Sequence, residues 1–590
     1  MVSQLLRRIR APLDHLRVRL SGLETPPGLT LLSVLGTLCG LACGGVIIVF
    51  HALIDLFGEQ SGRLGDLTLG DSVTIPLTLW LPVLGATAVG LVYQGLARDS
   101  RDGGIVHIVE RLTYHQGEFP WRNAVAQFLG SVAAICTGQS VGREGVAAHM
   151  GATTSSWLGQ WLQLPNNGVR TLVGCGTAAG IAASFNTPLA GVIFAMEVVM
   201  MEYTLAGFAP IILAAISATA VTHLWMTDHP QLLVDAAELR SMIELPYLAL
   251  CGCVLGTAAV AFTRLTRLLT RYLLPQPIWL RMLQAGLVAA LCAWIYPQTF
   301  QFGFESINAA LAAEFALGVA LGVAAAKLIA TAFAVSSLMP GGIIMPCLLI
   351  GAAIGQALGL IAGWVLGDNA AEPMLYALLG MGAMMGAVLQ APLTALVAIL
   401  ELAGRTEMVF PAMLVVITAI LVAREGYHSE SIFLTLLRDR GRDYKNDPVS
   451  QSLRRSSVVS YMDRSFKLTG LTIGVAEAHD IVGRDTRWIL ARRKDGRSGY
   501  LLPLADLLRY LLSEDGEALG EGDTIALNKI PAANRLQAGP IHLRATMQEA
   551  FETLRRTEAQ ALYVQRRVRD DERTIYGVLT RDAIERAYLR

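Results

Sequence analysis

Charge is scarce in this sequence. Of its 590 residues, 16% are Asp, Glu, Lys or Arg, whereas an ordinary soluble protein has about 25%. Hydrophobic residues make up 53% of the chain, and the mean hydropathy is +0.48. This composition excludes an ordinary soluble enzyme and indicates an integral membrane protein. Net charge is missing too, because 47 basic and 47 acidic residues cancel, so no basic footprint for nucleic acid is present.

The shortage of charge is uneven along the chain. Charged residues number 48 in the first 440 positions and 46 in the last 150. The contrast predicts an all-α membrane body over 25–440 and a soluble tail over 441–590. Cysteine is absent from the tail, and all eight cysteines lie in apolar segments of the body. They are expected to be small packing residues, and no disulfide framework is implied.

A cleavable signal peptide is also missing. Residues 1–20 contain five arginines and no continuous apolar core. The pattern predicts a basic amphipathic helix over 1–24 at the cytoplasmic face. Cytoplasmic segments of membrane proteins carry an excess of arginine and lysine, so we expect the N-terminus inside the cell, with the charged tail.

Long unbroken apolar runs are few. A clean spanning helix needs about 20 apolar residues, but the segments 146–162, 169–184, 188–201 and 393–403 are shorter, and glycine and proline interrupt them. Short, broken and tilted helices are tolerated in a membrane only where their backbone lines a cavity enclosed by protein. They therefore indicate a transport site.

An internal repeat divides the membrane body. The segment 188–197 matches 392–401 at an offset of 204, and the segment 142–152 matches 342–352 at an offset of 200. Two matching pairs in the same order predict a two-fold internal repeat, with halves at about 28–235 and 243–438. The residues alone leave open whether the halves run parallel or inverted.

The most informative stretch is Gly138–Val146, which places Arg143 and Glu144 between glycines in an apolar region. An ionisable side chain at membrane depth is costly and indicates function. A helix that starts near Val146 aims its free N–H groups at this turn, and the segment Met339–Pro346 forms a second such turn. Two helix N-termini predict an anion site without a full positive charge, for which the Glu144 carboxylate competes.

These motifs resemble those of the CLC chloride channel and transporter family. Gly142-Arg-Glu-Gly-Val resembles its GREGP gate motif, and Gly342-Ile-Ile-Met-Pro resembles its GxFxP motif. The segments 185–197 and 391–401 are similar to the family's two Pro-Leu…Glu helices. The resemblance implies an inverted repeat, a homodimer and one anion pathway per subunit. It makes Glu144 the gate and places Arg143 and the backbone of Gly145, Val146, Ala147, Ile343 and Ile344 at the anion.

The family's GSGIP motif is altered here. The matching stretch is Asp102-Gly103-Gly104-Ile105-Val106, in which Gly103 replaces the serine that coordinates the anion. The resemblance places Gly103, Gly104 and Ile105 at the anion, but a hydroxyl donor is lost. The family's pore tyrosine falls on Phe433, so a second hydroxyl is lost. These changes leave open chloride, bromide, nitrate and fluoride as the anion.

The family's inner proton-relay glutamate falls on Val198, which follows Glu197. Adjacent residues on a helix point about 100° apart, so Glu197 does not automatically replace the relay. We keep two hypotheses for Glu197, a proton path and a structural carboxylate at a helix end. Lys327 is a cation within the apolar run 309–336, and it either snorkels to the inner interface or adds positive field to the pathway.

The tail repeats a pattern of strand, turn, strand and helix, first over about 487–512 and again over about 560–589. It resembles a pair of CBS modules, which in other proteins often bind adenine nucleotides at a Thr and an Asp three residues later. Here the second module has Thr580 but Ala583, and the first has Pro503 but Asp506. A nucleotide is therefore one hypothesis, and a structural or dimer-stabilising role is the other.

The sequence thus predicts a transporter of small anions in a bacterial inner membrane, in contact with lipid, and not an enzyme. Channel-like or weakly proton-coupled transport, gated by voltage or pH, is the first hypothesis, and proton-coupled antiport the second. A membrane sensor whose output is the tail is a third. The G-x-S-x-G motif at Ser140 adds the hypothesis of an intramembrane hydrolase, which would need a histidine oriented toward the serine. No metal is expected, and no cofactor other than a nucleotide in the tail.

Overall fold

The structure is a computed structural model of the full chain. It describes residues 28–63, 67–68, 74–75, 77–203, 205–225, 232, 239–300, 304–442, 444, 448–482, 486–492, 499–520, 523–530, 535–567 and 573–589. The amphipathic helix expected over 1–24 lies outside these residues. The chain forms two compact units, a helical unit of Gly28–Gln160 with Val169–Tyr444, and a second unit that contains Trp161–Gly168 and the chain from Lys445.

The helical unit confirms the predicted all-α membrane fold of many short and broken helices. Among the described residues, seven helices are long and apolar enough to cross a membrane. Its helices are α1 (Leu29–Arg63), α2 (Leu77–Gly95), α3 (Gly104–Tyr114), α4 (Trp121–Cys136), α5 (Glu144–Trp161), α6 (Asn166–Phe185), α7 (Pro188–Phe194), α8 (Leu205–Trp225), α9 (Leu245–Leu273), α10 (Ile278–Ile295), α11 (Glu305–Leu311), α12 (Leu317–Ser336), α13 (Ile344–Leu366), α14 (Pro373–Leu389), α15 (Pro392–Ala403), α16 (Val409–Leu421) and α17 (Ile432–Asp439).

Glycine lets paired helices of the repeat approach to backbone contact. A Cβ on Gly151 of α5 would overlap the carbonyl oxygen of Gly176 on α6. The second half repeats the arrangement, because a Cβ on Gly351 of α13 would overlap the carbonyl oxygen of Gly380 on α14. Lipid gives helices little hydrophobic reason to associate, so this close packing is their main source of attraction.

Two carboxylates tie the halves together in a reciprocal way. Both oxygens of Glu197, in the π-helical turn after α7, accept the Leu393 and Thr394 amides of α15 at 3.2 and 2.7 Å. Glu401 of α15 accepts the Leu189 and Ala190 amides of α7 at 2.8 and 2.7 Å. Each helix thus caps the N-terminus of the other. The C-terminal end of each helix therefore lies at the N-terminus of the other, so α7 and α15 run antiparallel, as the corresponding helices of an inverted repeat do.

The tail unit is an α/β domain with the predicted repeat. Its six-stranded sheet has the order β10 (Arg573–Thr580), β9 (Ala561–Arg567), β8 (Leu536–His542), β6 (Gly499–Pro503), β5 (Trp488–Arg492) and β3 (Phe466–Thr469). Strand β3 pairs in parallel with β5, and β8 pairs in parallel with β9. A two-residue pair, β1 (Leu67–Thr68) and β2 (Thr74–Ile75), lies in the other unit. The tail elements are α18 (Pro448–Arg455), β3 (Phe466–Thr469), β4 (Thr472–Gly474), α19 (Val475–Val482), β5 (Trp488–Arg492), β6 (Gly499–Pro503), α20 (Leu504–Leu511), α21 (Glu514–Glu517), β7 (Thr524–Ala526), β8 (Leu536–His542), α22 (Met547–Thr557), β9 (Ala561–Arg567), β10 (Arg573–Thr580) and α23 (Arg581–Leu589).

The reciprocal caps yield a stability prediction. Glu401→Ala removes the acceptor of two amides at the start of α7, and hydrogen bonds to a charged group contribute about 1.5–3 kcal/mol each. We expect the variant to unfold at a clearly lower temperature in detergent. Glu407→Ala, at an exposed position just after α15, is the control and should leave the melting temperature unchanged. Equal melting temperatures for the two variants would contradict the capping role.

Candidate functional site

Three helix N-termini meet inside the helical unit. They belong to α3, α5 and α13, which begin at Gly104, Glu144 and Ile344. Gly104 has a left-handed backbone (φ +68°), and a Cβ there would lie 3.6 Å from the Gly341 carbonyl oxygen. A Cβ on Gly145 would lie 2.8 Å from the same oxygen, so the three loops are in close contact. Converging helix N-termini provide free N–H groups and positive dipole ends, which together favour an anion.

The loops before α5 and α13 are joined by backbone hydrogen bonds. The Gly142 amide donates to the Gly342 carbonyl at 2.8 Å, and the Gly342 amide donates to the Gly142 carbonyl at 2.7 Å. The two glycines hold equivalent places in the repeat. The pairing therefore fixes the gate loop of one half against the corresponding loop of the other half.

Glu144 closes the space between these helices. Its side chain is fully buried, and its Oε1 accepts the Met345 amide in the first turn of α13 at 2.9 Å. Its Oε2 has no hydrogen-bond partner among the described residues. The sequence placed the start of the helix near Val146, but α5 begins at Glu144 itself. The carboxylate thus occupies a helix N-terminus where an anion would bind.

The other residues predicted at the anion lie around this point. Gly145, Val146 and Ala147 form the first turn of α5 and are buried. Ile343 is the N-cap of α13, Ile344 is its first residue, and both are buried. Arg143 immediately precedes the gate, and the acidic groups nearest its charge are Asp55 and Glu144.

The α3 and α17 residues complete the predicted set. Gly103 is the extended N-cap of α3, and Ile105 is buried in its first turn. Phe433 is buried at the start of α17, which packs against α3. Asp102 Oδ1 lies 3.0 Å from Arg440 Nη1, so an arginine just after α17 neutralises the acid that precedes Gly103.

Sequence reasoning missed Gln127. Its side-chain amide, on α4, fills the space that a Cβ at Gly103 would occupy. The signal in the sequence was only a polar residue in an apolar helix, and nothing in its spacing pointed to the distant loop at Gly103. The contact appears once α4 is packed against the start of α3.

Three further residues singled out in the sequence have defined surroundings. The Lys327 Nζ is buried and donates to the Thr299 carbonyl at 2.8 Å. Ser140 Oγ lies 2.8 Å from Thr331 Oγ1, whereas His149 pairs with His107 at 2.9 Å. The serine and the histidine of the hydrolase hypothesis therefore have other partners.

A second candidate site lies within the tail unit. It is an open cavity of about 1480 Å³. Thr580, Ala583 and Pro503, which the CBS resemblance pointed to, line it, whereas the Asp506 carboxylate is buried and ion-paired with Arg509 at 3.7 Å. The lining also includes five arginines and three acids, Arg464, Arg487, Arg555, Arg581, Arg586, Asp463, Glu558 and Asp582. The excess of arginine favours an anionic ligand.

Comparison with known protein families matches residues 84–424, more than half of the chain, to the voltage-gated chloride channel (Voltage_CLC) family. The chain belongs to this family. The match includes the loop before Glu144, both Pro-Leu…Glu helices and the Met339–Pro346 loop, so it covers the site described above except Phe433 and Arg440. The family assignment makes anion transport across a membrane the coarse function of the helical unit.

Solved CLC structures share the fold. A slow cyanobacterial Cl⁻/H⁺ antiporter is similar with a TM-score of 0.62 at 20% identity, over 69% of this chain and 97% of its own. A CLC-type fluoride/proton antiporter gives 0.57 at 23% identity, over 69% and 98%. A eukaryotic CLC transporter gives 0.57 at 20% identity, over 94% and 97%. At these identities the similarity establishes the fold.

The position of the Glu144 carboxylate can be tested by adding one methyl group beside it. The three atoms nearest to a Cβ on Gly142 would all belong to the Glu144 carboxylate, which is the far end of a flexible side chain. Gly142→Ala should therefore displace the carboxylate without moving the backbone, and anion flux into liposomes should rise severalfold. Gly45→Ala, where a Cβ would meet nothing within 4 Å, is the control. Unchanged or reduced flux in a folded Gly142→Ala protein would contradict this position of the carboxylate in the pathway.

Proposed function

We propose that this protein conducts chloride or another small anion along a pathway that Glu144 gates. The observation that supports it is the hydrogen bond from the Met345 amide to Glu144 Oε1 in the fully buried interior. A carboxylate on a helix N-terminus holds the place of an anion. A proton neutralises the Glu144 carboxylate, and a competing anion takes its place at the N–H groups. In either case the side chain leaves and the pathway opens.

We further propose that coupling to protons is weak and that permeation is channel-like. Both Glu197 oxygens accept amide bonds from α15, and Glu197 Oε2 also accepts the Thr394 hydroxyl at 2.6 Å. These three donors fix the Glu197 carboxylate against the first turn of α15, whereas a proton relay requires a side chain that is free to exchange partners. Val198, at the position of the family's relay, is apolar and buried. These residues favour Glu197 as a structural carboxylate.

Proton-coupled antiport is the alternative. It is favoured by the protonatable Glu144 and by the similarity of the fold to those of a Cl⁻/H⁺ antiporter and a fluoride/proton antiporter. In either mode we propose a homodimer in a bacterial inner membrane, with both termini cytoplasmic. A sensor without transport would require no anion flux at all, so one flux assay separates it from both.

The transport mode is tested in liposomes. With a proton gradient and no chloride gradient, we expect chloride to move uphill only weakly or not at all, while a chloride gradient drives efflux. Stoichiometric uphill movement of chloride would establish antiport instead. Absence of flux in both experiments would favour the sensor.

The proposed gating by Glu144 predicts that chloride efflux becomes faster as pH falls. Acid neutralises Glu144 and weakens its bond to the α13 amide, so the initial rate of chloride efflux should rise as pH falls. Glu144→Ala removes the titrating group, and we expect high flux that is independent of pH. Glu407→Ala, which alters an exposed carboxylate, should keep the pH response of the natural chain. A Glu144→Ala protein with an unaltered pH response would refute the gate.

We also propose that the tail cavity binds an adenine nucleotide, on the strength of its size and its five arginines. AMP and ATP titrated into the full-length protein in detergent should bind saturably, and Thr580→Val, which removes a hydroxyl from the cavity wall, should weaken binding about tenfold. Thr553→Val, whose hydroxyl bonds its own helix at the Glu549 carbonyl, is the control. Lack of saturable binding would leave the tail with a structural role.

A further inference from the structure

Helix α9 is longer than the apolar part of a membrane. Its 29 residues span about 43 Å at 1.5 Å per residue, whereas the hydrocarbon core of a bilayer is about 30 Å thick. The stretch 245–263 has no charged residue and covers about 28 Å. The first charge after it is Arg264, and Arg267 and Arg271 follow on the same helix. These three arginines therefore lie where α9 leaves the hydrocarbon.

The arginine end of α9 continues a face that is exposed and apolar earlier in the helix. Leu250 and Val254 are exposed on this face. Residues three or four positions apart are neighbours on a helix surface, so the same face continues through Arg264, Leu268 and Arg271. All three are exposed, and Leu268 is 66% exposed. One face of α9 thus changes from apolar residues to arginines that alternate with an apolar side chain.

The contacts of the three arginines orient them and leave most of their donors available. The Arg264 Cζ lies 5.3 Å from the centroid of the Tyr427 ring, and its Nη2 donates to the Tyr427 carbonyl at 3.3 Å. Arg267 Nε and Arg271 Nη2 both lie 3.4 Å from Asp439 Oδ1. A guanidinium group has five N–H donors. Three positive charges share one carboxylate, so the group has an excess of positive charge.

Asp439 also fixes the side of the membrane on which these arginines lie. It is the last residue of α17, the last helix of the helical unit, and the chain continues from there into the tail. In the orientation proposed above, this end of the helical unit is cytoplasmic. The cytoplasmic leaflet carries anionic lipids, which attract arginines next to a membrane-spanning helix. Position and charge together point to a lipid phosphate.

We propose that Arg264, Arg267 and Arg271 bind the phosphate of an anionic phospholipid, and that Leu268 and Tyr272 pack against its acyl chains. Guanidinium groups bond phosphate oxygens with two parallel N–H donors, and tyrosine is enriched where the hydrocarbon meets the headgroups. A free phosphate has no contact to make with Leu268 and Tyr272, which are both 66% exposed, whereas a lipid covers them. The binding of lipid does not depend on anion transport and goes beyond the proposed function.

The first test measures lipid binding by the full-length protein in detergent. Dioctanoyl phosphatidylglycerol and dioctanoyl phosphatidylcholine are titrated, and we expect saturable binding of the anionic lipid alone. Each arginine near an anionic lipid surface contributes about fivefold in affinity, so Arg271→Gln should weaken binding of phosphatidylglycerol by about that factor. Arg240→Gln is the control, because Arg240 is an exposed arginine beyond the other end of α9, paired with Glu372. It should leave the affinity unchanged.

Two further variants separate lipid binding from damage to the fold. Asp439→Asn removes the carboxylate that competes with the lipid phosphate for Arg267 and Arg271, so phosphatidylglycerol should bind several-fold more tightly. A general disturbance of the fold would weaken binding instead. Leu268→Ser keeps all three arginines and removes an apolar contact, so it should weaken the binding of phosphatidylglycerol. Inorganic phosphate at the concentration of the lipid should not displace it.

Several outcomes would overturn the lipid site. Equal binding of the two lipids, or equal affinity of Arg271→Gln and the natural chain for phosphatidylglycerol, would refute it. Displacement of the lipid by inorganic phosphate would assign the arginines to a free anion. If Arg271→Gln separated the subunits and left lipid binding unchanged, this face of α9 would be a subunit contact. Anion flux enters none of these measurements, so the lipid site and the proposed function fail independently.

Discussion

The structure depends on the competition for backbone N–H groups at helix N-termini inside a membrane. These groups have no water to bond, so each buried N-terminus needs an acceptor. A carboxylate and a dehydrated anion are both suitable acceptors, and neither requires a positively charged side chain. At α13 the Met345 amide donates to the carboxylate of Glu144, the residue that we propose as the gate. At α7 and α15 the acceptors are Glu401 and Glu197, each held by at least two amides.

All three of these carboxylates bond the opposite half of the repeat. Glu144 and Glu197 of the first half accept from α13 and α15, and Glu401 of the second half accepts from α7. At these three helices the acceptor for the N-terminal amides comes from the other half, which explains why the two halves are joined so closely. The symmetry is broken at the gate, because the residue 200 positions after Glu144 is the apolar Ile344. The Glu144 carboxylate thus lies at a site built by both halves.

The sequence was sufficient for the parts that local pattern determines. The repeat, the helices that begin at Pro188 and Pro392, and the strands of the tail follow from spacing and from the placement of glycine and proline. It was insufficient where distant segments meet. The inversion of the halves is shown only by the reciprocal caps, and the start of α5 at Glu144 depends on the loop paired to Gly342. Gln127 was missed because its position depends on its contact with Gly103, 24 positions away.

The choice of neutral donors follows from transport itself. A site for a moving ion must bind well enough to strip water yet weakly enough to release the ion. Gln127 and Lys327 are 200 positions apart, as are Gly142 and Gly342, so they hold matching places in the two halves. The Lys327 ammonium donates to the Thr299 carbonyl, and the neutral Gln127 amide lies beside Gly103 at the start of α3. An anion held by backbone N–H groups rather than by an ammonium group is released more readily.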